Sequence, residues 1–523
     1  MKKIDWRWLI VAVLLISALA VAIVMNISYT KNGVEKIANS VEVDNGDLKI
    51  NWERYKTVDM ELSETLKITE SGTFHLTGTL TNGSIVIDAG VSEVRLILDN
   101  VTVNNNDGPA IVCYNAEDLV IELVGENTLS DGISYSTEYD EDVDGVIYSK
   151  ADLAFAGEGS LNLTANYADA IVGKDDLTIR GGAYNIKAAD DGIRGKDSIY
   201  ITDGIFKIES TADAIKTTNE ENFGKGFVMI EKGDFEIAAR EKGIEATHTV
   251  LVYSGKITID AYDDAIHSNN YVGIVGGEMK LYSGDDGIHA DRELIIDGGN
   301  IDIAKSYEGL EAQVITVNDG KLSVVTSDDG LNAGGGTDSS TSNNARGGMD
   351  TFNTNVDCVL TINGGSVYVN AAGDGIDSNG YIYFNGGTTV VDGPTNNGNG
   401  ALDAGLGISI QGGTVIAVGA SGMAGTLGSS SGVCNLSVYF NTTLPAGTMV
   451  EVLNSTGETV LNHTSAKSFN HMAAGSETLV PGETYTIYVD GAEYQTFTIS
   501  EVFTTIGNNN TNQYNMPGGG QRR

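Results

Sequence analysis

Aspartates recur in this chain just before a small residue and an aliphatic one, at a nearly constant interval. The segments are Ala168-Asp169-Ala170-Ile171, Asp190-Asp191-Gly192-Ile193, Ala212-Asp213-Ala214-Ile215, Glu241-Lys242-Gly243-Ile244 and Asp263-Asp264-Ala265-Ile266. They continue with Asp285-Asp286-Gly287-Ile288, Tyr307-Glu308-Gly309-Leu310, Asp328-Asp329-Gly330-Leu331, Gly373-Asp374-Gly375-Ile376 and Gly400-Ala401-Leu402. Two residues past the small one stand Glu245, Glu311, Asp377 and Asp403, sharing that position with Arg194, Lys216, His267, His289 and Asn332. Carboxylates brought side by side repel one another unless they are protonated or bridged by a cation. Calcium takes about six to eight oxygen ligands from carboxylates, carbonyls and water. A stack of such segments therefore suits calcium. The candidate ligands are Asp190, Asp191, Asp213, Asp263, Asp264, Asp285, Asp286, Glu308, Glu311, Asp328, Asp329, Asp374 and Asp377. The plainer reading of each aspartate is a turn former bonded to its own backbone. His267 and His289 make a candidate transition-metal pair, against the plainer reading of two exposed side chains.

What could stack these segments? The small residue falls at 170, 192, 214, 243, 265, 287, 309, 330, 375 and 401, so the usual step is 22 residues, with excursions to 29, 45 and 26. A second marker keeps the same step: a glycine followed by alternating β-formers, at Gly182, Gly204, Gly233, Gly255, Gly277, Gly299, Gly320, Gly365, Gly387 and Gly413. Each repeat holds short runs of period-two alternation, such as Leu177-Thr178-Ile179 and Ala183 to Ala188, bounded by turn residues. The repeat is too short for a propeller blade and lacks the leucine pattern of a horseshoe. One coil of a parallel β-helix fits. Each coil would carry about three strands and lie about 4.8 Å from the next, with inward Ile, Leu and Val piling into a shared core. The long steps mark insertions at Asn219-Glu220-Glu221-Asn222-Phe223 and from Gly334 to Asn355, and loops of this kind carry function.

Bulk properties agree. The chain has 523 residues with 66 Gly and only 5 Pro, and its 71 acidic against 31 basic residues give a net charge of −40. That charge excludes nucleic acid as a partner and favours cations. Cys113, Cys358 and Cys434 are too few and too scattered for a disulfide framework. Lys2, Lys3 and Arg7 precede an apolar run from Trp8 to Met25, which predicts a signal anchor with the rest of the chain exported. Cleavage near Ala20 and secretion is the alternative. The expected fold is all-β: a right-handed parallel β-helix with an N-terminal membrane helix and a small C-terminal β cap. The expected organisation is an anchor over 1–30, a linker and cap start over 31–64, the β-helix over 65–432, a β module over 433–503 and a disordered tail over 504–523.

Some of these residues carry a family resemblance. Asp107-Gly108-Pro109-Ala110-Ile111, Glu126-Asn127-Thr128-Leu129-Ser130-Asp131-Gly132 and the Asp-Asp-Gly-Ile repeats resemble bacterial and archaeal carbohydrate-binding domain-containing surface proteins. Pro481-Gly482-Glu483-Thr484-Tyr485 with Val489-Asp490-Gly491 resembles their C-terminal part. The likeness runs over about residues 45 to 503. It implies a β-helix similar to family 9 pectate lyases, bound calcium, and binding of cellulose or acidic pectin-type polysaccharide. Glu241-Lys242-Gly243 and Ala212 depart from the paired aspartates, which puts calcium at those two coils in doubt.

The expected function is therefore that of a non-catalytic, adhesin-like polysaccharide binder at the cell surface, a monomer, with Tyr184, Tyr262, Tyr282 and Tyr307 available to stack on sugars. A calcium-dependent lyase is the alternative. It needs a lysine base of lowered pKa beside the cation, and Lys216 and Lys242 are the candidates near the aspartates. A structural spacer is the third possibility.

Overall fold

The computed structural model describes residues 33–44, 49–334 and 354–508. The predicted membrane segment, most of the Gly334–Asn355 insertion and most of the predicted tail lie outside the described residues. Among the described residues, no helix is long and apolar enough to cross a membrane. The fold is an all-β parallel solenoid whose coils are about 22 residues long. The chain divides into two compact units, one of residues 33–306 with 311–322, the other of residues 307–310, 323–334 and 354–508.

In the first unit, the alternation seen in the sequence becomes ladders. Ile171 pairs with Ile193, Ile193 with Ile215, Ile215 with Ile244, Ile244 with Ile266 and Ile266 with Ile288, each in parallel register. All six are fully buried. Cutting one of them back to alanine would remove roughly 2–5 kcal/mol of stability, because neighbouring coils cannot close the hole. The glycine marker also has a steric cause. Gly255 and Gly277 sit at φ 115° and 109°, a region that suits glycine. A Cβ on Gly255 would stand 2.7 Å from the Gly233 carbonyl oxygen, and one on Gly277 would stand 3.0 Å from that of Gly255.

Two features of this unit depart from the sequence expectation. A six-residue helix, Gly33–Ala38, buries Val34 and Ile37 against Phe227, Leu251 and Ile295 on the flank of the coils. One coil also steps by 34 residues, from Val120 to Ala154. The extra residues form a loop over 131–144, whose Tyr135, Tyr139 and Val143 cover Val112, Tyr148 and Val172.

In the second unit, Val359–Ile362, Tyr381–Phe384 and Gly407–Ile410 pair in parallel, as do Ser366–Ala371, Thr388–Asp392 and Thr414–Gly419. The edge of the last strand is covered by Phe469–Ser476, which runs antiparallel to it, so no open edge invites another chain at that point. Thr459–Thr464, Met449–Asn454, Thr484–Val489 and Ala492–Thr498 form a separate antiparallel sheet. Its Asp490-Gly491 turn has φ 50° and 76°, as a tight hairpin with primed geometry requires.

Candidate functional site

Asp169, Asp191, Asp213, Asp264, Asp329 and Asp374, each ahead of a small residue or its equivalent, turn their side chains along the stack. In the first unit the Asp191 N–H donates to Asp169 Oδ1 at 2.9 Å, the Asp213 N–H to Asp191 Oδ1 at 3.1 Å, the Lys242 N–H to Asp213 Oδ1 at 2.7 Å and the Asp286 N–H to Asp264 Oδ1 at 2.9 Å. In the second unit the Asp374 N–H donates to Asp329 Oδ1 and the Gly400 N–H to Asp374 Oδ1. Aspartate is thus a backbone acceptor here, but for the next coil rather than for its own turn. The carboxylate makes each bond charge-assisted, and it satisfies an N–H that burial would otherwise orphan. Where the small residue is glycine the cause is steric: a Cβ on Gly192 would lie 2.5 Å from the Ala214 carbonyl oxygen.

A ladder of buried carboxylates leaves one oxygen of each to be settled. In the first unit, the position two past the small residue does so. Arg194 bridges Asp144 and Asp169, the latter at 2.6 Å. Lys216 Nζ lies 2.5 Å from Asp213 Oδ2 and 2.8 Å from Glu245 Oε2. His267 Nδ1 lies 2.8 Å from Asp264 Oδ2, and His289 Nδ1 lies 2.9 Å from Asp286 Oδ2 and 3.0 Å from Glu311 Oε2. Lys242, which replaces an aspartate of the motif, reaches forward with Nζ 2.6 Å from Asp263 Oδ2 and 3.4 Å from Asp264 Oδ2. The unit carries its own counter-ions.

Electrostatics follow from this pairing. Burial works against the Lys216 ammonium, but Asp213 and Glu245 outweigh it and hold its pKa above the ordinary lysine value. Burial also opposes an imidazolium at His289, and its bonds to Asp286, Asp291 and Glu311 still hold its pKa well above 6.5. Burial would raise Asp264, yet the His267 bond and the Lys242 charge bring it down to about 2. Burial and the nearby Asp264 and Glu311 push Asp286 far up, while Glu311 stays low, so that carboxylate pair shares a proton. Asp213 and Glu245 divide in the same way.

His267 and His289 are buried, not exposed as the plainer expectation held, and their rings stack at 4.8 Å. Their Nε2 atoms meet Asn269 Oδ1 at 3.0 Å and Asp291 Oδ1 at 3.2 Å. Every ring nitrogen therefore faces an oxygen, and one donor atom each from Asp264, His267 and His289 lies within 4.8 Å of the others, the grouping that a bound metal would need.

The second unit is filled differently. The same position there holds Asn332, Asp377 and Asp403, and Asn332 faces Asp377 in register. Asn332 is 4% exposed; its Nδ2 donates to Glu308 Oε2 at 3.0 Å, while its buried Oδ1 accepts no hydrogen bond from the described residues. Burial, with Asp374, Asp328 and Asp377 close by, pushes Asp329 up to about 8. A donor set of carboxylates and one idle amide oxygen suits a hard divalent cation, and calcium above all. In the first unit the structure gathers predicted ligands into sets, among them Asp190 and Asp191 with Asp169, Asp263 and Asp264 with Asp285, and Asp286 and Glu311 with His289, with one ligand atom from each residue of a set within 4.8 Å of the others. Arg194 and Lys242 already reach into the first two of those sets. Asp190 is exposed, and Asp285, Glu308 and Asp328 are half-buried.

A profile of the family described as carbohydrate-binding domain-containing protein matches residues 62–330, just over half of the 523-residue chain. The chain belongs to this family. A curated relative carrying the same description, from Acetivibrio thermocellus, is 30% identical over 184 residues, covering 32% of this chain. The match spans 64% of that relative's length. A solved structure described as the polysaccharide lyase-like protein from C. thermocellum, gadolinium derivative, is 28% identical, with a TM-score of 0.37, covering 43% of this chain and 92% of that one.

In this carbohydrate-binding domain-containing protein, some residues play parts that the motif did not indicate. Asp144, on the far side of Arg194, precedes the series and belongs to no motif segment. Tyr184 is 2% exposed and stacks on Phe206 at 4.9 Å, which stacks on Phe235 at 4.6 Å, so it is a core residue and not a sugar platform. Tyr262, at 81% exposure, is open to ligand. Cys113, Cys358 and Cys434 are free and buried.

Proposed function

We propose that this chain is an extracellular calcium-binding, polysaccharide-binding protein of adhesin type, acting as a monomer through a right-handed β-helix and not as an enzyme. Membership of the carbohydrate-binding domain-containing family supports the sugar half of the reading. The observation that carries the calcium half is the idle, buried Oδ1 of Asn332 in a carboxylate-rich part of the second unit. Asp328, Asp329, Asp374, Asp377 and Asn332 would hold the ion. Calcium bound there neutralises the carboxylates and leaves coordination positions for a uronate of an acidic pectin-type chain. Cellulose is the alternative sugar. The apolar run from Trp8 to Met25 would keep the protein at the cell surface.

Binding is favoured over lysis by the state of the lysines. A base that abstracts a proton needs a lowered pKa, and Lys216 is held in the opposite direction by Asp213 and Glu245. Lys242 is taken up by Asp263 and Asp264.

Affinity electrophoresis of the full chain through polygalacturonate, with calcium and then with a chelator, tests the reading. Retardation with calcium, lost in the chelator, is expected. Retardation indifferent to the chelator would remove calcium from the reading, and none by any polysaccharide under any cation condition would leave a structural spacer. Unsaturated product that accumulates with wild type and disappears in Lys216→Ala would establish the lyase instead.

A further inference from the structure

Beside the aspartate turns of the first unit runs an open groove of about 860 Å³. Its floor comes from strand ends that are all small: Ala165, Ala188, Ser210, Ala239 and Ala261 stand in register on successive coils. Coils lie about 4.8 Å apart, so these four steps cover roughly 19 Å along the stack. The volume falls in the range of small-molecule and oligomer sites, roughly 300–1,000 Å³.

The rim is what makes the groove a site. Tyr262, on the turn after Ala261, is 81% exposed and lines the groove. One coil earlier, the equivalent turn residue is Arg240, and Lys305 stands further along. Opposite charges interleave with them: Asp260 lines the same wall, and Lys187 pairs with Glu209 at 3.2 Å. Three basic and two acidic side chains thus line the groove, in a chain whose net charge is −40. The groove is close to neutral while the surface around it is strongly acidic, and the exposed Asp190 and Glu241 follow directly on its edge.

We propose that this groove binds a single extended chain of neutral hexopyranose residues, independently of calcium; the proposal rests on the polysaccharide-binding reading. An exposed tyrosine ring meets the C–H face of a pyranose, with its apolar body against the sugar and its hydroxyl in water. The alanine methyls continue that apolar contact along the floor. Alternating carboxylate and guanidinium or ammonium groups on the walls accept from and donate to sugar hydroxyls. A uronate chain would bring its own negative charges against Asp190, Glu241 and Asp260, which disfavours it. The length of a hexopyranose residue in an extended 1,4-linked chain is close to the coil spacing. A chain lying along the stack therefore passes about one sugar per coil.

Titration calorimetry of the full chain with cellohexaose and mannohexaose in chelator, beside affinity electrophoresis on polygalacturonate with calcium, tests this. Wild type should bind at least one hexaose without calcium. Tyr262→Ala, at an exposed position, should weaken that binding about tenfold or more, and Thr211→Trp, which fills the groove, should abolish it. Both variants should keep their calcium-dependent retardation on polygalacturonate. Hexaose binding unchanged in both variants would overturn the groove and leave the polysaccharide reading intact. So would wild type that binds polygalacturonate but neither hexaose. Loss of polygalacturonate retardation in Tyr262→Ala would overturn the neutral-chain assignment, and absence of binding to any glycan would overturn both readings.

Discussion

In the first unit the aspartate ladder meets Arg194, Lys216, Lys242, His267 and His289, whereas in the second it meets Asn332, Asp377 and Asp403. The backbone task is the same in both, since aspartate Oδ1 accepts the N–H of the next coil. The difference lies in how the second oxygen is settled. Buried carboxylates must be paired, protonated or bound to a cation. The first unit writes the cation into the sequence, at the cost of fixing those side chains. The second keeps oxygen ligands only, and so makes its charge balance depend on the solvent. A repeat architecture lets both solutions share one backbone, because each coil answers mainly to its neighbours.

The comparison is broken most severely by removing a built-in cation. Lys216→Met leaves Asp213 and Glu245 buried without their shared partner. Removing one side of a buried ion pair costs about 3–5 kcal/mol, so a large loss of stability is expected in urea unfolding at neutral pH with chelator present. Calcium should restore part of it by taking the place of the ammonium. Unchanged stability would show that the first unit does not depend on its own cations.

Next in size is the calcium response of the second unit. A ligand at a hundredfold its dissociation constant stabilises the folded state by about 2.7 kcal/mol, so wild type should melt several degrees higher in excess calcium. Asp329→Asn should cancel that gain while raising the melting temperature in chelator, because it removes a carboxylate crowded by Asp374, Asp328 and Asp377 and keeps an oxygen for the Asp374 N–H. Asn332→His, which copies His289, should also blunt the response. If the Lys216→Met protein and wild type responded equally to calcium, the contrast between the units would fail.

Much of this was legible in the sequence because the period is strict. A 22-residue step brings Asp191, Asp213, Asp264 and Asp286 into one ladder, and it brings their counter-ions from a second fixed position. The burial of His267 and His289 was not legible, since period two says which residues share a face but not how deep the face lies. Tyr184 was misjudged for the same reason: its alternation matches that of an outward tyrosine until the rings of Phe206 and Phe235 are seen against it. Lys242 read as a defect in the motif. The structure makes it a substitute cation that reaches the carboxylates of the following coil. The loop over 131–144 was hidden because it precedes the first regular repeat, where no period existed for it to interrupt. The Gly33–Ala38 helix has only Val34 and Ile37 on its inner face, too few to announce a helical period.

The smallest expected effect is also the one that sets Asp264 of the first unit apart in sign from Asp329 of the second. Asp264 is depressed to about 2, so its pairing with His267 and Lys242 stabilises the fold above its unfolded value near 3.8 and is lost as pH falls towards 2. Asp329 is raised to about 8, so the folded chain holds a proton that the unfolded chain has released, and without calcium its contribution to stability declines as pH rises from about 4 to about 8. Calcium at this site must displace that proton. Its affinity should therefore fall by up to about tenfold for each pH unit below 8, with close to one proton released per ion at pH 7. Calorimetry at one pH in buffers of different ionisation enthalpy counts that proton. None released, or an affinity flat between pH 6 and 8, would mean that Asp329 does not surrender its proton to the ion and that calcium binds elsewhere. In the first unit the ion pairs hold Asp264 ionised throughout that range, so Asp264 itself should release no such proton, whereas Asp169 and Asp191, pushed up to about 7 by burial, titrate within it.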